Sequence, residues 1–342
     1  MKALVTASFS EKELARLREK AEVVHEGWGL TGDDMSTEQL INVAGDKEIL
    51  IVELQEVESA VFANCPNLKV VGCCRGNPVN IDLAAATRYG IPVVNTPGRN
   101  AVAVAELTVA LMINLARKIG PAYRNLKNGL WDIDDVMAFV YYKGIELYGK
   151  TIGLIGFGAI GIEVAKRLKA FGTKILVYDP YIPEDVLARY GVEKVSLQEL
   201  LTRSRIISLH AAVTQETKGM IGKDEFCLLK PDTFLINTSR ADLIDRAALV
   251  DALKNKRIAG VALDVFTEEP VAPEDELLKM ENVFVTPHIG GATFEVEDHH
   301  ARIVLDGIFT LLSGEIPKNI ANPEVLSDAC LARLKALGAR SQ

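Results

Sequence analysis

A chain of 342 residues is longer than one hydrophobic core ordinarily supports, so two domains are expected. Its 49% apolar and 25% charged residues fit an ordinary globular protein rather than a disordered or fibrous one. With 38 basic against 46 acidic side chains and a net charge of −8, nucleic acid and anionic membrane are disfavoured as partners.

The five cysteines, Cys65, Cys73, Cys74, Cys227 and Cys330, show no C-x-x-C spacing. Neither a disulfide framework nor a metal site is expected, and a reducing cytoplasm is the compartment that fits. The opening "MKALVTASFSEKELARL" lacks the apolar stretch of a signal peptide. No run reaches the about 18 apolar residues of a membrane span; even 101–116 is interrupted by Glu106, Thr108 and Asn114.

Short apolar runs alternate with helical patterns, which predicts α/β architecture with parallel sheets. In the first hundred residues the predicted strands are 3–7, 22–26, 49–53, 68–74 and 91–96, with "EKELARLREKA" and "IDLAAATRYG" among the helices between them. A long helix is predicted over about 100–118, followed by a loop-like stretch, "KNGLWDIDDVMAFVYYKG". The alternation then restarts with strands at 151–156, 174–179, 205–210, 233–238, 259–266 and 283–287. Their near-continuous apolar character suits strands buried on both faces, and their number suits a dinucleotide-binding domain. A final helix is expected over about 293–312, leading to "NPEVL".

The strand "TIGLIG" runs into "GFGAIG", which places Gly156, Gly158, Ala159, Ile160 and Gly161 at the turn into a helix. Glycines there permit a tight turn and close backbone approach, and a helix N-terminus favours a pyrophosphate. The next strand ends in Asp179, where a carboxylate would bind the ribose 2′-hydroxyl and repel the 2′-phosphate of NADP. The cofactor expected is NAD.

Three later segments, "LINTSRADLID", "VALDVFTEEP" and "FVTPHIGGAT", place Arg240, Asp264, Glu269 and His288 just past successive strands. Together with "GFGAIG" and "NTPGRNAVAVAELT" they resemble the D-isomer-specific 2-hydroxyacid dehydrogenases, the family of phosphoglycerate and glycerate dehydrogenases. The resemblance spans nearly the whole chain. Interconverting a 2-hydroxy acid and its 2-oxo acid needs a proton donor and acceptor near working pH, which suits histidine. A carboxylate beside it favours the imidazolium, and a guanidinium binds the substrate's carboxylate and polarises its carbonyl. The resemblance assigns these roles to His288, Glu269 and Arg240. It also implies that Asp264 holds the nicotinamide carboxamide and that Thr108, His210 and Thr238 border the cofactor. His25, His299 and His300 have no such setting and are expected to be structural or surface residues; Cys73 and Cys74 are expected to close a buried strand.

The chain departs from the family in one loop. Where members have glycine-rich backbone donors for the substrate, this sequence reads "CCRGNPVNID". Gly76 and Asn77 are expected to supply the donors, since Pro78 has no N–H. Arg75 either meets a further anionic or hydroxylated part of the substrate or is a surface charge.

The resemblance implies a discontinuous, flavodoxin-like substrate domain, 1–99 plus 293–342, enclosing a Rossmann NAD-binding domain, 100–292. The active site would then lie in a cleft closed by hinge motion near 100 and 292. A homodimer is expected, with the long helix and the "LWDIDDVMAFVYYKG" segment at its contact, and a C-terminal regulatory domain is not expected. A second reading remains open: the C-terminal-binding-protein corepressors share this fold and sense NAD(H) while acting as binding proteins. Formate and phosphite dehydrogenases also use the scaffold, but the histidine–glutamate pair favours a 2-hydroxy acid.

Overall fold

The computed structural model describes residues 1–340. The chain divides into two compact units, one of residues 1–99 with the segment from Thr293 onward, the other Asn100–Ala292.

The first unit is built on β1 (Lys2–Val5), β2 (Glu22–His25), β3 (Ile49–Val52), β4 (Val70–Cys73) and β5 (Val93–Val94), all parallel, in the order β2-β1-β3-β4-β5. This is the flavodoxin-like order. Central strands such as "ILIV" are buried throughout, as a sheet covered on both faces requires. Helices Glu11–Arg18, Phe294–Ser313 and Asp328–Ala339 pack on one face; Thr37–Ala44, Ser59–Asn64 and Leu83–Arg88 pack on the other. Gly72 in β4 lets the helix Phe294–Ser313 approach: a Cβ there would stand 2.6 Å from Cγ2 of Val304. The sequence reading stopped short of the helix Asp328–Ala339.

The second unit has a seven-stranded parallel sheet: β6 (Thr151–Ile155), β7 (Lys174–Tyr178), β8 (Glu193–Lys194), β9 (Ile206–Leu209), β10 (Phe234–Asn237), β11 (Gly260–Leu263) and β12 (Val283–Val285). Their order is β12-β11-β10-β9-β6-β7-β8. Six of them are the expected strands; the seventh, β8, is an exposed two-residue edge strand with no apolar run to announce it. The long helix Ala101–Arg117 packs with Ala159–Ala170 on one face, burying Ala105, Met112, Val164 and Leu168. The chain winds from β6 toward β7 on one side and from β9 toward β12 on the other. The ends of β6 and β9 therefore mark the switch point where α/β sheets take ligands.

The segment between the long helix and β6 holds the helix Ile119–Lys127 and, within the stretch expected to be loop, the short turn of helix Ala138–Tyr141. It exposes Tyr123, Leu126, Trp131, Met137, Phe139 and Tyr148. Among the described residues, no helix is long and apolar enough to cross a membrane, and no cluster of side chains is placed to hold a metal.

Candidate active site

At the end of β6 the three glycines have three different surroundings. Gly156 has φ +91°, and a Cβ on it would lie 2.6 Å from the nitrogen of Ala211. Gly161 lies so close to the strand that a Cβ would stand 2.6 Å from the Gly156 carbonyl. Of the three, Gly158 faces open space, with nothing among the described residues within 4 Å of where a Cβ would be. It caps the helix Ala159–Ala170, whose first-turn N–H groups, including those of Ala159 and Ile160, have no partner within the helix. Two glycines thus serve the turn and the packing, and the third leaves room for a ligand at a helix N-terminus.

Asp179 follows β7 and folds back over this turn. Its Oδ2 accepts from the Phe157 N–H at 2.8 Å and its Oδ1 from the Tyr181 N–H at 3.0 Å. On the other side of the switch point, His210 ends β9. Both its ring nitrogens are buried without a hydrogen-bond partner among the described residues, and burial pushes the imidazole down to about 3, so it is neutral. Two orphaned polar atoms in such a place call for a partner, because an unsatisfied buried group costs about 1–3 kcal/mol. The free space at Gly158 and the orphaned His210 therefore fit a bound dinucleotide. Thr238, past β10, meets Thr108 of the long helix at 2.8 Å between hydroxyl oxygens, and the Thr108 hydroxyl donates to the Val104 carbonyl.

Arg240 is exposed, and its guanidinium donates to the Ser239 carbonyl at 2.7 Å. It is not taken up by Asp245, which instead caps the helix Arg246–Lys254. Its loop is held by a residue the sequence reading did not single out. Asn237, fully buried, donates from Nδ2 to the Arg240 carbonyl at 2.8 Å and accepts at Oδ1 from the Ser239 N–H at 3.0 Å. The residue type gives a signal, since asparagine at a strand end commonly makes such a local turn.

Glu269 and His288 are brought together, with Oε2 and Nδ1 2.7 Å apart. Oε1 of Glu269 accepts from the Phe266 N–H at 2.9 Å, so both oxygens are engaged. Partial burial pushes the Glu269 carboxyl up. The hydrogen bonds from His288 and Phe266, together with the positive charges of His288 and Arg240, outweigh this and hold it below the usual range. Asp264 is 1% exposed and faces the same segment: Oδ1 accepts from the Thr286 hydroxyl at 2.6 Å and the Ile289 N–H at 2.9 Å, and Oδ2 from the Gly290 N–H at 2.8 Å. The residues flanking His288 are fixed by this one carboxylate.

In the first unit, Arg75 is half-buried, while Gly76 and Asn77 are exposed. The loop is pinned through its carbonyls: Thr96 N–H donates to Arg75 and the Asn95 amide to Gly76. Among the described residues the Gly76 and Asn77 N–H groups have no partner and Arg75 forms no ion pair. Cys73 and Cys74 are buried, and burial pushes the Cys73 thiol up to about 11 and that of Cys74 well above its usual value. His300 is buried as well. Its Nδ1 takes a hydrogen bond from Arg99 at 3.1 Å, and its Nε2 lies 2.6 Å from the Ser8 carbonyl.

A neutral buried imidazole beside a glycine turn, and an imidazole–carboxylate pair near a guanidinium, suit proton exchange next to a dinucleotide. Residues 109–290 match the family model for the NAD binding domain of D-isomer specific 2-hydroxyacid dehydrogenases. The Bacillus subtilis (strain 168) protein YoaD, named as a 2-hydroxyacid dehydrogenase, is 45% identical over 89% of this chain and 89% of its own. D-3-phosphoglycerate dehydrogenase of Methanocaldococcus jannaschii is 41% identical over 98% of this chain, which spans only 62% of that longer protein. Among solved structures, the NAD-complexed D-isomer specific 2-hydroxyacid dehydrogenase of Lactobacillus delbrueckii ssp. bulgaricus aligns with a TM-score of 0.80. It is 26% identical over 94% of this chain and 100% of the other. The chain belongs to the D-isomer specific 2-hydroxyacid dehydrogenase family and is an NAD-dependent enzyme of that class.

Proposed function

We propose that the protein interconverts a 2-oxo acid and its D-2-hydroxy acid, with His288 giving and taking the hydroxyl proton. The observation that carries this is the 2.7 Å contact between His288 Nδ1 and Glu269 Oε2. An ionised Glu269 on Nδ1 fixes the ring and favours its protonated form, which leaves Nε2 to donate toward the carbonyl oxygen. Arg240 binds the substrate carboxylate and polarises the carbonyl, its backbone set by Asn237. NAD supplies or accepts the hydride when bound.

The dinucleotide's pyrophosphate is placed at Gly158 and the helix after it, with Asp179 reading the adenosine ribose and excluding a 2′-phosphate. Thr108, His210 and Thr238 border the remainder, and Asp264 is assigned to the nicotinamide end through the loop it anchors. The free N–H groups of Gly76 and Asn77 and the unpaired Arg75 make this loop the candidate for the substrate's far end. The favoured acids therefore carry a polar or anionic group beyond C2, such as glycerate, its phosphate or a sugar-derived acid. One relative is named for such an acid, D-3-phosphoglycerate dehydrogenase, whereas the glyoxylate of another's name carries no group beyond C2. The exposed aromatic and apolar side chains between Tyr123 and Tyr148 support a homodimer formed through this segment.

The test is NADH oxidation by the purified protein against glyoxylate, pyruvate, hydroxypyruvate, hydroxypyruvate phosphate and longer sugar-derived 2-oxo acids. Turnover that Arg240→Ala abolishes supports the reading. Silence across the series, with NADH bound, overturns it.

A further inference from the structure

Behind the loops that carry Arg240 and Glu269 lies a cavity of about 320 Å³ that no step above uses. Small-molecule sites begin at roughly this size, about 300 Å³. Its floor is apolar, formed by the buried side chains of Ile244, Leu249, Leu263 and Leu277. Its rim carries three charges, those of Arg246, Glu268 and Asp275. Arg246 is already engaged, with one guanidinium nitrogen 2.8 Å from Asp275 and another 3.8 Å from Glu276. Glu268 forms no ion pair among the described residues, so the rim offers one open carboxylate above an apolar floor.

The walls reach both arms of the site. Asn237 lines the cavity and holds the Arg240 carbonyl, and Phe266 lines it and donates its N–H to Glu269. A molecule seated there touches the two residues that set the position of the guanidinium and of the carboxylate paired with His288.

We propose that this cavity binds a small apolar molecule bearing a primary ammonium group, and that its occupancy tunes Arg240 and Glu269. The ammonium pairs with Glu268 while the apolar part covers Leu249 and Leu277. Binding is coupled to the substrate by whatever shift it imposes on Asn237 and Phe266, and such coupling is reciprocal. Only this coupling rests on the proposed function; the binding does not.

The experiment titrates the whole protein with benzylamine, benzyl alcohol and benzoate, followed by ligand-observed NMR. Saturable binding of benzylamine is expected, tighter than that of the alcohol, with benzoate excluded. Glu268→Gln should remove the amine's advantage, about fivefold for an exposed pair. Leu249→Trp fills the floor and should abolish binding. Ala272→Trp, across the mouth, serves the same purpose if the first variant does not fold.

Benzylamine that fails to saturate, binds no better than benzyl alcohol, or binds undiminished in a folded tryptophan variant overturns the site. In the kinetic arm, benzylamine should change kcat or KM for the 2-oxo acid that is turned over, and about fivefold more of it should be needed in Glu268→Gln. Saturable binding with unchanged kinetics overturns the coupling. If no 2-oxo acid is reduced, the proposed reaction fails and the NMR arm still decides the cavity.

Discussion

Gly290 donates its N–H to Asp264 Oδ2 at 2.8 Å, and a Cβ on Gly290 would stand 2.9 Å from that same oxygen. With Thr286 and Ile289 on the other oxygen, the turn bearing His288 hangs on one buried carboxylate. His288 itself has φ +53°, a conformation that costs a non-glycine residue about 1 kcal/mol. Asp264→Asn keeps the shape but removes an acceptor, leaving one buried donor unpaired at about 1–3 kcal/mol. We expect a lower melting temperature and a kcat reduced about tenfold or more. Wild-type kcat in a folded variant would show that His288 is positioned by other means.

The roles proposed for Glu269 and His288 are a charge and a proton, and two variants separate them. His288→Ala should lower kcat by at least about a hundredfold while NADH affinity, read by fluorescence titration, stays near wild type. Glu269→Gln keeps the acceptor for the Phe266 N–H but removes the charge, so a smaller loss of kcat is expected. Because Glu269 ionises below the usual carboxylate range, its contribution is present at neutral pH and is lost only as pH falls through that lowered value. The wild type should therefore lose activity toward the Glu269→Gln level only well into acid. Equal activity of both enzymes at pH 7 would remove the carboxylate from the mechanism.

Gly156 and Gly158 occupy one motif and should fail in opposite ways. At Gly156 a side chain meets the Ala211 nitrogen at 2.6 Å in a left-handed conformation, so Gly156→Ala should lower stability in calorimetry. At Gly158 a methyl group meets nothing within 4 Å. Gly158→Val should melt as the wild type does while binding NADH more weakly. A variant that melts normally and binds NADH normally would place the pyrophosphate elsewhere.

The same contrast explains what the sequence discloses. β3, β6 and β9 were legible because burial on both faces demands unbroken apolar runs, and the glycine turn because its backbone needs leave residue-type traces. β8 was hidden, since Glu193 and Lys194 are exposed at an edge and satisfy no apolar rule. Arg240, Glu269 and His288 stood out as charged or titratable groups at strand ends. Asn237 did not, although it fixes the Arg240 loop, because its partners are backbone groups that carry no residue identity. Asp264 stands out in the sequence by its charge, but its anchoring of Ile289 and Gly290 depends on the fold that brings them together.

Asp179 engages the Phe157 N–H with one oxygen and the Tyr181 N–H with the other, so its carboxylate is held at the glycine turn proposed for the dinucleotide. Asp179→Ser removes the charge that repels a 2′-phosphate. The ratio of kcat/KM for NADH to that for NADPH should fall by about tenfold or more, a difference of about 1.4 kcal/mol. An unchanged ratio would mean that cofactor choice is made by another residue.

His300 makes the stability of the first unit sensitive to acid. It is buried between Arg99, which donates to Nδ1, and the Ser8 carbonyl at Nε2, so only the neutral ring with its proton on Nε2 satisfies both contacts. Burial, with the Arg99 charge beside it, pushes the imidazole down to about 4. The unfolded chain takes up a proton near the ordinary value of about 6.5, whereas the folded protein resists until about 4. The unfolded state therefore binds more protons in this window, and stability falls as pH falls through it. The loss attributable to His300 between pH 7.5 and pH 5 is about 2 kcal/mol. Urea unfolding at the two pH values should show that loss in the wild type and a clearly smaller one in His300→Gln, whose amide can donate to Ser8 without titrating. Nearby Glu53 works in the opposite sense. Burial raises its carboxyl despite the Arg99 ion pair at 3.0 Å, so acid protonates it more readily in the folded protein than in the unfolded chain. Its contribution lies near the ordinary carboxylate range and above, and is kept out of the His300 difference by comparing the two proteins at the same pH. An equal acid loss in both would show that folding does not shift the His300 imidazole and that the acid sensitivity comes from elsewhere in the fold.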